Sequence, residues 1–174
     1  MPLNKYAPQA QTHRRTLSSI LDATKSLIAT VGLTKMTMIE IADTSEVSRA
    51  TLYNHFRDKE SVIEALCKSE CARLIAIAKS APNATDALEL LSIQVSTDNA
   101  FAHMRTHDPA LLTRGLSTHQ NPLWSELTDA LTDIIGSQIV ADLTLRWLIG
   151  QVLKPLTPDN SRLHAELLIS RANL

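Results

Sequence analysis

TMIEIADTSEVSRATLYNHF, residues 37–56, reads as two short helices joined by a tight turn, the second with an unusually polar face. Thr37 followed three residues later by Glu40 is a capping box: the threonine oxygen accepts a free N–H of the first turn while the glutamate reaches back to the Thr37 N–H. Met38, Ile41 and Ala42 then fall at i, i+3 and i+4 on one inward face, until Thr44-Ser45-Glu46 interrupts the period. Ser48 is the next N-cap, and a helix opening there buries Val47, Leu52 and Phe56. It turns Arg49, Ala50, Thr51, Tyr53, Asn54 and His55 outward or sideways. Such side chains on one short helix suit hydrogen bonds to base edges and phosphates in a major groove.

This stretch, continued by Arg57-Asp58-Lys59-Glu60-Ser61, resembles the helix-turn-helix of the TetR family of bacterial transcriptional regulators. The resemblance spans roughly Arg14 to Leu74. It rests on an amphipathic first helix, a Gly32-Leu33 break, the Thr37 cap, Ile41-Ala42, Val47-Ser48, Thr51 to Phe56 and Lys59-Glu60. Two positions depart from the usual pattern, Glu46 and Ala50, where glycine is common. A non-glycine residue in a left-handed turn costs about 1 kcal/mol, and the Ala50 methyl can touch a thymine methyl. The resemblance assigns Tyr53, His55 and Lys59 to phosphates, with Thr37 and Ser48 directing helix N-termini the same way. Arg49, Ala50, Thr51 and Asn54 are left for bases, Arg49 pairing with guanine and Asn54 with adenine.

The chain has 174 residues, 44% hydrophobic but only 3% aromatic, with four glycines. That composition favours an all-α fold over a sandwich or barrel. A net charge of −1 looks wrong for a nucleic-acid binder until the chain is split. Residues 1–80 carry 11 Lys/Arg against 8 Asp/Glu, and residues 81–174 carry 6 against 10. The positive half holds the motif.

Leu17, Ile20, Leu21, Thr24, Leu27, Ile28 and Val31 recur at helical spacing and Gly32 stops that helix. Residues 1–12, with two prolines and no period, read as a disordered tail in which Lys5, with Arg14-Arg15 beyond it, can touch DNA backbone. Asp58 caps a long helix over 59–80 with Val62, Ala65, Leu66 and Ile77 inward, ended by Pro82; the resemblance makes this helix the lever between ligand and DNA. Asn83 opens a helix through about Met104, Asp108-Pro109 a short one, Asn121-Pro122 one through Ile135, and Thr157-Pro158 the last. Between Ser137 and Leu153 the run is apolar on most of its circumference and needs a second partner surface. With the last helix, bearing Leu163, Leu167 and Leu168, it looks like the pair that in TetR relatives meets its two-fold mate as a four-helix bundle; burial within one subunit is the alternative.

The expected organisation is therefore a tail (1–12), a three-helix DNA-binding domain (13–74) and a helical ligand-binding and dimerisation domain (75–174). The resemblance implies a homodimeric repressor on a pseudo-palindromic operator in double-stranded DNA, released by a small-molecule effector. Phe101, Met104, Leu112, Trp124 and Trp147 are candidates to line the cavity, ordinary core packing being the competing reading. The alternative is a regulator without an inducer, or one switched by metal or thiol chemistry at Cys67 and Cys71. Those cysteines, and His103 with His107, are i, i+4 pairs able to offer two ligands each; small thiols filling a helical core explain them equally. His13, His119 and His164 read as surface or loop residues. With no secretory leader and no long apolar run, the chain is expected in the cytoplasm, away from membranes, its thiols reduced. No nucleophile elbow, H-E-x-x-H, phosphate-binding glycine loop or Glu-x-x-His pair occurs, so neither enzyme activity nor a cofactor is expected.

Overall fold

The computed structural model describes residues 7–117 and 122–170, the side chains of 7–10 excepted. All ten elements among these residues are α-helices: α1 (Ala7–Thr30), α2 (Met38–Thr44), α3 (Arg49–His55), α4 (Lys59–Ser80), α5 (Ala84–Ser96), α6 (Asn99–His107), α7 (Pro109–Leu116), α8 (Pro122–Ile135), α9 (Gln138–Leu153) and α10 (Pro158–Ser170). They fall into two compact units, Met1–Cys67 and Lys68–Leu174, the division lying within α4. The boundary after residue 74 expected from the sequence lies later in that helix.

In the first unit α1 packs on α2 and α2 on α3. The shared core is the apolar stripe read from the sequence: Ile20, Leu27, Ile28, Ile41, Leu52, Phe56 and Val62 are all buried, each worth about 1.5 to 3 kcal/mol against exposure. Thr24, also buried, satisfies its hydroxyl on the Ile20 carbonyl at 2.7 Å. Gly32 ends α1 with φ 95°, the left-handed conformation a glycine adopts without strain. One expectation is corrected at the other end of α1. Residues 7–12, placed in the disordered tail, continue this helix, because nothing after Pro8 breaks it. Residues 1–6, with Lys5, lie outside the described residues.

In the second unit α5 contacts α8, α9 and α10, and α8 lies along α9. Ala87, Leu88, Leu91 and Val95 on α5 meet Leu131, Ala141, Leu148, Val152 and Ala165. Set in this core, Ser92 lies 2.6 Å from both the Gln151 Oε1 and the Ser161 Oγ, and Ser96 donates to the same Gln151 oxygen at 2.9 Å. A buried network whose members satisfy one another fixes the register of α5, α9 and α10, since a slip would orphan several polar groups together. At the surface Arg162 bridges Asp86 (2.6 Å) and Glu89 (2.8 Å) across the α5–α10 seam.

The helix expected from Asn83 through about Met104 is two. The Asp98 carboxylate accepts the Ala100 and Phe101 N–H groups at 2.9 and 3.1 Å and opens α6, so a strong internal cap ends α5 although the apolar period continues across it. The other expected starts coincide with observed helices, but Asn121 lies outside the described residues and the Asp108 side chain makes no capping bond.

Candidate nucleic-acid interface

The two helices of the motif are set by local chemistry. The Thr37 N–H donates to Glu40 Oε2 at 2.8 Å and the Glu40 N–H donates to Thr37 Oγ1 at 3.3 Å, closing the capping box. Ser48 Oγ accepts the Thr51 N–H at 3.0 Å and lies 2.8 Å from Thr51 Oγ1. Between them the Val47 N–H reaches the Ala42 carbonyl (3.1 Å) and the Glu46 N–H the Asp43 carbonyl (3.3 Å). This pair of bonds is a Schellman stop, and it requires a left-handed residue at position 46. Glu46 adopts φ 58° there. The turn geometry is thus kept despite the missing glycine, at about 1 kcal/mol of local strain. Ser19 Oγ donates to the Ser45 carbonyl at 3.3 Å and ties the turn to α1.

The caps and the buried Leu52 and Phe56 fix which way α3 faces. Arg49, Ala50, Tyr53 and Asn54 are exposed, while Thr51 and His55 are half-buried. Tyr53 is 54% exposed, unusual for an aromatic ring on a helix otherwise anchored in a core. Arg49 has no hydrogen bond or ion pair among the described residues, so its guanidinium fork is available for a bidentate contact. Of the residues singled out for DNA, Thr37 and Ser48 spend their hydroxyls on the caps.

Two residues behave differently from their sequence reading. The Lys59 ammonium donates to the carbonyls of Leu33 (3.2 Å), Thr34 (3.4 Å) and Met36 (3.1 Å). Its three protons are therefore engaged in holding the α1–α2 connection to the start of α4. His55 stacks on His13 of α1, the ring centroids 4.5 Å apart and the planes 23° off parallel. Burial, then the neighbouring His13, holds the His55 imidazole below the usual histidine value. His13 was a surface residue in the sequence reading. Nothing in a single sequence links positions so far apart, so its place beside the recognition helix emerges only from the fold. At the start of α4 the Ser61 N–H donates to Asp58 Oδ1 at 2.9 Å, and this bond, with Arg57 and the Ser61 hydroxyl, lowers the Asp58 carboxyl below its usual range.

The residues proposed for a ligand cavity are distributed through the second unit. Leu112 is buried, and Phe101, Met104 and Trp147 pack half-buried against the same core. The Trp147 indole donates to His164 Nδ1 at 3.1 Å, and Trp124 is half-buried on α8. A separate open groove of about 300 Å³, lined by Ala78, Lys79, Pro82, Asn83, Asp133 and Ile134 among others, includes none of the five. His103 and His107 stack at 4.0 Å, while Cys67 is exposed and Cys71 half-buried. Among the described residues no group of three or more metal-binding side chains converges, and no helix is long and apolar enough to cross a membrane.

The outward side of α9 and α10 is strongly apolar. Ile139 (75% exposed), Leu143 and Leu153 lie on one face of α9, together with Gly150, and Leu163 and Leu167 (65%) lie on α10. Leu168, grouped with them in the sequence reading, points the other way into the core. One residue along a helix is a rotation of about 100°, enough to exchange outside for inside.

Comparison with known proteins agrees with this geometry. Residues 20–66 match the bacterial regulatory proteins of the tetR family. Among curated proteins none matches. The crystal structure of the TetR-family repressor AlkX from Dietzia sp. strain DQ12-45-1b, implicated in biodegradation of n-alkanes, is similar over 89% of this chain and 94% of its own, with TM-score 0.64 and 19% identity. GusR of Salmonella enterica is similar over 91% and 93%, at TM-score 0.57 and 22% identity. The transcriptional regulator FadR of Bacillus subtilis, solved in complex with stearoyl-CoA, is similar over 89% and 96%, at TM-score 0.53 and 18% identity. At such identities the likeness is one of fold. Residues 20–66 thus resemble the bacterial regulatory proteins of the tetR family, and they are set in a chain that shares the fold of the solved TetR-family regulators.

Proposed function

We propose that the protein is a homodimeric transcriptional repressor that binds a pseudo-palindromic operator and is released by a small-molecule effector. The observation that carries this reading is the face of α3: an Arg49 unpaired among the described residues, with exposed Ala50, Tyr53 and Asn54, on a helix whose caps and buried Leu52 leave it no other orientation. Arg49 and Asn54 read guanine and adenine edges, with Ala50 and Thr51 beside them. Tyr53 and His55 hold flanking phosphates, and Lys59 reaches one by giving up a carbonyl. One such helix sees few bases, so a useful specificity ratio calls for two of them on a two-fold site. The apolar face of α9 and α10 supports dimerisation, because exposed leucines and an isoleucine in register on two adjacent helices gain most by meeting a copy of themselves.

Release rests on α4, which belongs to both units. An effector bound in the second unit acts by preferring a dimer whose recognition helices no longer match successive major grooves, about 34 to 36 Å apart. Linkage then makes operator DNA weaken effector binding by the same factor. The test of the central claim is selection from a pool of random-sequence duplexes, followed by binding of the selected duplex at several salt concentrations. A two-fold symmetric consensus and a steep loss of affinity with salt are expected. Recovery of no preferred sequence, or salt-independent binding, would overturn the reading.

A further inference from the structure

His13 and His55 lie 42 positions apart in sequence and meet ring to ring at 4.5 Å, at the last turn of the helix proposed to read bases. Two imidazoles in a stack gain little over two aliphatic side chains as packing, since His13 is exposed and His55 only half-buried. They are, however, two titratable groups close enough to share one anion. Exposed Arg14 and Arg15 follow His13 on α1, so the surroundings on that side are cationic.

We propose that His13 and His55 together form a phosphate-binding site at the edge of the operator interface, and that filling it is coupled to the uptake of a proton. This rests on the DNA-binding reading above and assigns a contact to α1 that the motif itself does not contain. In the free protein charge on His55 is disfavoured, in part because a proton on His13 repels one on it. The direction is visible at His55, held below its usual value by burial and by His13. A phosphate oxygen against both rings reverses the preference, as an anion favours the charged form of each. DNA binding then takes up protons in the pH interval between the free and bound values, and affinity rises as pH falls through it.

Most other charged groups around the pair are already engaged. On α1, Arg14 and Arg15 are exposed, and Asp22 accepts the Ser18 hydroxyl at 3.3 Å. On α2, Glu40 closes on Thr37 at 2.8 Å. Beyond α3, Arg57 pairs with Asp58 at 3.0 Å, and on α4 the Lys59 ammonium is held by three carbonyls. His13 is the group whose charge acts on His55. His55, beside His13, is thus the group of this face on which a pH response is expected.

The experiment uses the full chain and a duplex selected by the protein from a random pool. Affinity is measured from pH 8 to pH 6 at constant ionic strength for the wild type, His13→Gln and His55→Gln. Glutamine keeps a hydrogen bond to phosphate but no titration. The wild type should gain roughly tenfold per half-site for each unit by which phosphate raises the shared proton's affinity, and both variants should flatten the slope. In parallel, NMR titration of the free protein should show the His55 resonance moving to higher pH in His13→Gln, a change that loss of packing alone does not produce. A flat wild-type profile, or a slope that survives in either variant, would overturn the proposal and leave the DNA-binding reading standing. If no duplex is selected, both fall.

Discussion

The exposed face of α3 and the exposed faces of α9 and α10 are the two surfaces to which the proposed function gives a partner, one polar and one apolar, and they are specified in different ways. The α3 face is fixed by bonds within a few residues: Thr37 with Glu40, Ser48 with Thr51, and the Schellman stop at Glu46. The α9 and α10 faces are what remains after the opposite sides have been consumed by α5 and α8. A surface coded by caps survives changes elsewhere in the molecule. A surface defined by subtraction depends on the packing behind it.

The largest effect should come from breaking the apolar surface. Leu143→Asp with Leu167→Asp buries uncompensated charge in the proposed dimer and should raise its dissociation constant by at least about a thousandfold. Both side chains are exposed in the subunit, so monomer stability should barely change, and sedimentation velocity with thermal melting separates the two. An undisturbed dimer would show that these faces do not meet. Leu168→Asp sharpens the contrast: one position further on, the same change should lower the unfolding midpoint, because that side chain enters the core.

On the polar surface, Arg49→Ala should cost about 1 to 3 kcal/mol per half-site and relax base preference at one position. Binding selections read both. Unchanged affinity and consensus would remove Arg49 from the base contacts. Smaller effects test the local coding. Thr37→Ala should cost about 1 kcal/mol of stability, whereas Glu46→Gly should gain about 0.5 to 1 kcal/mol by relieving a left-handed glutamate; chemical denaturation measures each. The smallest effect is on pH. His55 is held below its unfolded value, so its contribution to stability is complete above about pH 6.5 and is lost as pH falls from there through the lower folded value. The melting temperature of the free protein should decline less between pH 7 and pH 5.5 in His55→Gln than in the wild type.

How legible each feature was in the sequence follows the same division. The capping box, the Ser48 cap, the stop at Gly32 and the Asp58 start depend on residues a turn apart, and the structure has them at the positions read from the sequence. The break at Asp98 was hidden because the apolar period runs through it, so spacing and capping pointed opposite ways and the cap won. Leu167 and Leu168 were indistinguishable without knowing the rotation of α10. The Lys59 bonds and the His13–His55 stack depend on backbone brought together across the first unit, which neither composition nor period records.

Lys59 bears on how the motif behaves when the protein is strained. Its ammonium reaches back 23 to 26 residues to the carbonyls of Met36, Thr34 and Leu33, so α2 and α3 are the contents of a loop whose two ends are pinned at a single cation. Such a pin limits the freedom of everything between its ends, as a crosslink does. Opening it should let both helices exchange their amide protons as one cooperative unit, ahead of α1. Replacing the lysine by methionine, which keeps the length and removes the donors, would therefore speed exchange across all of residues 37–56 together.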